Sequence, residues 1–451
     1  MDSNLIDKYN VPGPRYTSYP TVPYWDSEKF NMKDWKESVI NTFWVSGKEI
    51  SLYLHLPFCE SLCTYCGCNT RITKNHNVEQ EYIAAILKEW KMYLAIFPSK
   101  PVIKELHLGG GTPTFFSPEN LKKLIDGILE KTTQSSKPEF AFEGHPNNTT
   151  HAHLQTLYDL GFRRVSFGIQ DFDPNVQKLI NRIQPFENVK RVTEEARKIG
   201  YESVNFDLIY GLPGQNNETI NATIVSTMEL KPDRIAFYSY AHVPHLKPAQ
   251  MSFEQHLPND DTKRSLYEAG KKRLLENGYA DVGMDHFALE GDAMLEAHKN
   301  GTLHRNFMGY STQHTNMVIG LGVSAISDSW TSFAQNVKKV ETYYELIENN
   351  QFPVFKGHHL TKQDLTIRKK ILDLICRYQA SWTQEELMSF GLDLDFEMLE
   401  SLKEDGLITM DDYGIRVEEK GKPFIRNICM PFDVRMMRSN VDRKKIFSKT
   451  V

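Results

Sequence analysis

Between residues 50 and 245, short apolar runs rich in β-branched and aromatic residues alternate with longer stretches whose apolar positions recur every three to four residues. The short runs at 50–56, 103–108, 140–143, 164–169, 203–209 and 234–238 read as strands. The stretches at 78–93, 118–129 and 186–199 read as amphipathic helices. Strands alternating with helices predict parallel β/α units joined by right-handed crossovers. A closed eight-unit barrel takes about 250 residues. Six units in this shorter stretch predict an α/β chain built on a partial six-unit (β/α) barrel, with an open doubly wound sheet as the alternative.

Polar residues interrupt the pattern where each strand ends. The first strand runs into His55 and a cysteine loop, and the second into Gly109-Gly110-Gly111-Thr112. The other four lead to Glu143, Gln170, Asp207 and Ala241-His242. Parallel β/α folds gather function at the carboxyl ends of their strands. Strand side chains alternate, so Tyr53 and His55 share one face, as do Asn205 and Asp207. The expected site looks inward from these ends.

The flanks differ. The first 45 or so residues are rich in Pro, Tyr and Trp and predict an extended N-terminal arm (1–48) packing over the active site, ahead of the barrel (49–245). Residues 246–358 read as a barrel extension of helices and substrate-region loops around 283–287 and 304–307, with a glycine-rich turn at Gly320-Leu-Gly322. Residues 359–451 predict a mainly helical C-terminal domain resembling a winged helix, with helices at 362–376 and 394–404 and a strand pair at 407–409 and 414–417. Asp393, Asp395, Glu397, Glu400 and Glu404 crowd its second helix, which argues for a structural role and against DNA binding.

Composition narrows the class. The 451 residues are 40% hydrophobic and 25% charged, as in an ordinary globular protein. A net charge of −5 argues against nucleic acid as a partner. No run approaches the ~20 apolar residues of a membrane span, and no secretory signal opens the chain, so a cytoplasmic location is expected.

Of six cysteines, Cys59, Cys63, Cys66 and Cys68 lie within ten residues, while Cys376 and Cys429 are isolated and read as core. A tight cluster in a cytosolic chain points to metal. Structural zinc normally takes four ligands in two separated pairs. Cys59, Cys63 and Cys66 can instead hold three corners of a [4Fe-4S] cluster, leaving the fourth iron open to a small chelating ligand. Cys68 is close enough in sequence to complicate that count.

Cys-x3-Cys-x2-Cys directly after a first strand resembles the signature of the radical S-adenosylmethionine (SAM) superfamily. Over nearly the whole chain the sequence resembles the oxygen-independent coproporphyrinogen III oxidase family. The resemblance rests on Gly13-Pro-Arg-Tyr-Thr-Ser-Tyr-Pro20, Tyr53-Leu-His-Leu-Pro-Phe-Cys59 with Cys68, and Asn205-Phe-Asp-Leu-Ile-Tyr-Gly-Leu-Pro213. It continues through Tyr240-Ala-His242, Gly283-Met-Asp-His-Phe-Ala288, Leu303-His-Arg-Asn-Phe307, Gly322-Val-Ser-Ala-Ile-Ser327 and Arg426-Asn-Ile-Cys429.

The resemblance implies a [4Fe-4S] cluster and two SAM molecules. Tyr53, Gly110, Glu143 and Ile326 match contacts to the cluster-bound molecule, and Gly111, Thr112, Gln170, Arg182, Asp207 and Ala241 match contacts to the second. Cys68 matches a cysteine that matters for activity without ligating the cluster; Tyr53, His55 and Glu143 complete the candidate catalytic set. The implied reaction decarboxylates two propionates of coproporphyrinogen III to vinyls, in a monomer served by an electron donor and an acceptor. Arg15, Arg182 and Arg305 are candidate carboxylate clamps by charge and fork geometry. Two departures from the family pattern stand out: Met308, and Gly144-His145 after the third strand. The competing readings are a haem chaperone carrying the same cluster and another tetrapyrrole-modifying radical enzyme.

Overall fold

Every second residue of the first strand, Ile50, Leu52, Leu54 and Leu56, is fully buried on one face, while Ser51, Tyr53 and His55 point the other way. The same division holds around the sheet. Leu106, Leu108, Phe140, Phe142, Val165, Phe167, Val204, Phe206, Ile235 and Phe237 pack outward into one core cluster with the surrounding helices. Each such side chain contributes roughly 1.5–3 kcal/mol by leaving water. The inward face is left to polar groups, and a polar lumen is the result.

The computed structural model describes residues 3–388 and 392–450. Residues 1–2, 389–391 and 451, which fall in the first and last expected segments, lie outside the described residues. Six parallel strands, β1 (Glu49–Leu56), β2 (Val102–Gly110), β3 (Thr133–Gly144), β4 (Arg164–Gln170), β5 (Ser203–Tyr210) and β6 (Arg234–Ser239), pair in sequence order. Helices Val78–Ile96, Pro118–Leu129, His151–Asp159, Phe186–Ile199 and Asn217–Leu230 lie between them in sequence. Local chemistry sets their limits. Ser117 accepts the Asn120 N–H ahead of Pro118, Asn216 and Thr219 form a capping box, and Phe186–Ile199 stops at left-handed Gly200. The partial barrel expected from the pattern is present.

The stretch 246–358, expected as a barrel extension of helices and loops, adds strands to the sheet that the pattern did not single out. Strands β7 (Ala280–Gly283), β8 (His286–Ala288), β9 (Val318–Leu321), β10 (Ile326–Asp328), β11 (Ser332–Asn336) and β12 (Val354–His359) complete twelve strands in the order β12-β11-β10-β9-β1-β2-β3-β4-β5-β6-β8-β7. Gly320-Leu-Gly322 is therefore not simply a turn. Its first two residues end β9, which runs parallel to β1 with Tyr53 opposite Gly320.

The arm is also less extended than its prolines imply. Asn31 caps a regular helix, Met32–Val45, by accepting the Asp34 N–H. Ahead of it, Lys8 and Tyr9 both reach Asp405 at 2.6 Å. Arg426 donates to the carbonyls of Gly13, Pro14 and Lys449, while Pro12 and Lys449 form an antiparallel bridge. The C-terminal segment carries helices Lys362–Arg377 and Phe396–Glu404 beside a three-stranded antiparallel sheet. Gln379–Ser381, its third strand, was not expected from the pattern.

Candidate active site

The cysteine loop leaves β1 and is tied down on both sides. Phe58–Cys59 pairs in parallel with Arg71–Ile72, and the Thr112 N–H donates to the Phe58 carbonyl at 3.0 Å. Asn181 donates from its side chain to the Leu62 carbonyl at 2.7 Å, and the Thr64 N–H donates to the Ile180 carbonyl at 3.0 Å. Cys59 Sγ lies 3.3 Å from Thr112 Oγ1, and Arg182 donates to Cys63 Sγ at 3.5 Å. Burial pushes the Cys59 thiol up to about 11. Cys66 and Cys68 are hydrogen-bonded to one another and titrate as a pair in which Cys66 is the more acidic.

All four cysteines open onto one cavity of about 520 Å³ at the carboxyl ends of β1–β6. Gly110 and Gly111 form part of its wall. At Gly110, φ is +115° and a Cβ would stand 2.7 Å from the His55 ring; at Gly111 one would stand 2.6 Å from the Pro57 backbone. Only glycine lets the chain pass there. The Gly110 N–H donates to Glu143 Oε2 at 3.1 Å, and His107 lies 3.3 Å from Oε1. Burial opposes the Glu143 charge, yet these contacts hold the carboxyl below its usual range. Asp207 accepts from Ser166 at 3.0 Å and Asn205 at 2.9 Å. Burial first, and the Glu143 charge second, push it up to about 6.

The cavity brings together Cys59, Cys63, Cys66, Cys68, Gly110, Gly111, Thr112, Glu143, Gln170, Arg182 and Asp207. Tyr53 and His55 stand just behind this lining. The Tyr53 hydroxyl lies 3.2 Å from His55 Nδ1, and His55 Nε2 donates to the Asn69 carbonyl at 2.9 Å. Ala241 and Ile326 are outside the lining. Ala241 is nonetheless joined to the cysteine loop through Gln250, whose side chain donates to the carbonyls of both Ala241 and Tyr65.

Of the candidate clamps, only Arg182 reaches the cavity. Arg15 lies in a separate small cavity 3.7 Å from Asp285, and Arg305 is buried with its guanidinium 4.8 Å from the Tyr310 ring centre. Met308 sits at the tip of the His304–Asn306/Gly309–Ser311 hairpin, where its N–H donates to Asn306 Oδ1. Ser166, Tyr238 and Asn181 also line the cavity without having been singled out. Ser166 had a usable signal, being in phase with Arg164 and Gly168 on β4. Asn181 had none.

The donor set fits an iron–sulfur cluster and a polar organic ligand. Three soft sulfurs, those of Cys59, Cys63 and Cys66, border the glycine wall beside polar side chains and backbone N–H groups.

Comparison with known proteins points the same way. Residues 53–225 match the family model described as the radical SAM superfamily. Proteins named oxygen-independent coproporphyrinogen III oxidase from Synechocystis and Escherichia coli are each 36% identical over all of this chain and 98% of their own lengths. A solved structure of the Escherichia coli coproporphyrinogen III oxidase, described as a radical SAM enzyme, matches with a TM-score of 0.89 at 36% identity. The match covers 96% of this chain and 99% of that one.

Proposed function

The chain belongs to the oxygen-independent coproporphyrinogen III oxidase family, and from that premise we propose how its residues divide the work. It is a radical SAM oxidoreductase of haem biosynthesis that oxidatively decarboxylates two propionates of coproporphyrinogen III to vinyls, giving protoporphyrinogen IX. When bound, a [4Fe-4S] cluster and SAM supply a 5′-deoxyadenosyl radical, which takes a hydrogen atom from a propionate β-carbon so that carbon dioxide and one electron can leave.

In our reading Cys59, Cys63 and Cys66 hold the cluster. The carboxylate of Glu143 and the backbone of Gly110 receive the cluster-bound SAM, with Tyr53 and Ile326 supporting them. Gly111, Thr112, Gln170, Arg182, Asp207 and Ala241 surround a second SAM. Tyr53, His55 and Cys68 orient and shield the reacting end: the neutral His55 ring, held down by burial, passes one hydrogen bond to the Asn69 carbonyl and receives one from Tyr53. Glycines allow close backbone approach, which converts binding into positioning.

We assign the reaction to 49–245, its closure to 246–358 and the arm 1–48, and a structural role to 359–451. The protein works as a cytoplasmic monomer with a tetrapyrrole substrate and separate electron donor and acceptor, without nucleic acid or membrane. Among the described residues no helix is long and apolar enough to cross a membrane.

The observation that carries this reading is the joint lining of one cavity by three staggered cysteines, the glycine wall, Glu143, Arg182 and Asp207. The test is anaerobic reconstitution with iron and sulfide, then reductant, SAM and coproporphyrinogen III. Methionine and 5′-deoxyadenosine should appear together with two carbon dioxide molecules per porphyrinogen. An intact cluster with no decarboxylated product would favour the chaperone alternative.

A further inference from the structure

His145, which follows β3, presents the cavity with a hydrogen-bond donor that the assignments above leave unused. Its backbone N–H donates to Thr114 Oγ1 at 3.4 Å, and its ring Nδ1 accepts the Asn147 N–H at 3.2 Å. A ring nitrogen that accepts is unprotonated, so the neutral imidazole carries its hydrogen on Nε2. Burial, helped by the neighbouring Arg182 charge, holds the imidazole down to about 2 and so keeps it neutral. Among the described residues Nε2 has no hydrogen-bond partner.

Arg182 beside it has the neighbouring cysteines as its charge partners and no directly paired carboxylate among the described residues. Its terminal nitrogens donate to Cys63 Sγ at 3.5 Å and to the Gly168 carbonyl at 2.5 Å, and among the described residues it forms no ion pair. The nearby amides are committed elsewhere: Asn147 donates to the Ile183 carbonyl and Asn181 to the Leu62 carbonyl. Asp207 and Glu143 accept from Ser166, Asn205, His107 and Gly110, and neither bonds His145 or Arg182. A half-buried guanidinium with no carboxylate directly paired to it, next to a fixed neutral donor, is complementary to an oxyanion.

We propose that His145 Nε2–H and the Arg182 guanidinium together form a carboxylate subsite at this end of the cavity, with His145 the residue that fixes the carboxylate's orientation. The carboxylate belongs to SAM or to a propionate of the tetrapyrrole, and in this the proposal rests on the function given above.

The test compares wild type with His145→Phe, His145→Ala and His145→Gln as anaerobically reconstituted holoenzymes. Equilibrium binding is measured for SAM against decarboxylated SAM, and for coproporphyrin III against its tetramethyl ester. Losing one hydrogen bond to a charged group should weaken binding about tenfold. The Phe and Ala variants should show that loss for SAM alone, which assigns the subsite to SAM, or for coproporphyrin III alone, which assigns it to the substrate. In either case the matching carboxylate-free probe should be unaffected. The Gln variant, which keeps an N–H donor, should remain within about threefold of wild type. Phe and Ala variants that bind both carboxylate ligands as wild type does, or that lose the carboxylate-free probes equally, would overturn the subsite. Turnover by wild type is scored separately: its failure sinks the enzymatic reading, while the binding contrast still decides the role of His145.

Discussion

The two ends of the barrel strands use the same residue types for opposite purposes. At the amino ends inward polar groups pair with one another. Ser51 donates to Glu105 at 2.5 Å, Glu139 pairs with Arg164, and Arg234 meets Asp292 at 2.6 Å, with Ser203 completing the contact at 3.0 Å. At the carboxyl ends Glu143, Asp207, Arg182 and His145 face open space with part of their bonding capacity unspent. Buried polar groups that satisfy one another specify structure; those left facing a cavity await a ligand. The contrast separates residues whose loss should unfold the chain from residues whose loss should silence it.

The largest effect should come from the cysteine loop. Cys63→Ser should abolish decarboxylation, a loss beyond about a thousandfold if the cluster supplies the radical. Thermal stability of the metal-free protein should change by under about 1 kcal/mol, because the loop lies outside the packed core. Iron content and a melting curve of the same sample check both halves.

Asp292→Ala should show the reverse pattern. It strands the buried Arg234 charge and removes the cap that accepts the Met294 N–H, and should cost about 3–5 kcal/mol in denaturant unfolding. The cluster content of the protein that remains folded should be normal.

A carboxyl belonging to neither end sharpens the distinction. Glu89 is buried beneath the Gly322 turn, where it accepts from Gly322, Asn336 and Tyr343. Burial outweighs these bonds and pushes it up to about 7. The folded state therefore holds this proton more tightly than the unfolded chain does. Its stabilising contribution is full below pH ~4.5 and is lost as pH rises towards 7, to a total of about 3 kcal/mol. Glu89→Gln should lack that decline when stability is followed from pH 4.5 to 8, whatever its absolute melting temperature. Parallel pH profiles for variant and wild type would refute the assignment.

Glu143→Gln should have the smallest effect, lowering kcat/KM by about ten- to a hundredfold through loss of one charged hydrogen bond, with the fold intact. An equal loss of unfolding free energy would move Glu143 from the ligand-facing group to the structural one.

The same contrast explains what could be read from the chain beforehand. β1–β6 were legible because their outward faces are uniformly apolar while their inward faces are polar, which produces alternation. β11 defeated that reading. All five residues of Ser332–Asn336 are buried, and Gln335 and Asn336 donate to Ser324, Glu89 and Gly322, so neither face announces itself. The Met32–Val45 helix was hidden by the prolines before it. Within the site, Glu143, Gln170 and Asp207 were visible as polar residues closing apolar strands. Ile326 was carried by resemblance alone, Ala241 by resemblance and its place after the sixth strand, and both fall outside the cavity lining. Charge by itself did not place Arg15 and Arg305, which lie outside the lining of this cavity. Asn181 came to the site through a turn, where its left-handed backbone leaves no periodic trace.

The grip of Arg426 on Gly13, Pro14 and Lys449, together with the bridge from Pro12 to Lys449, sets the first and last strips of described backbone side by side. Contiguous ends are the geometry that tolerates relinking. A circular permutant joined there by a short glycine linker and reopened at an exposed surface loop would preserve every strand neighbour.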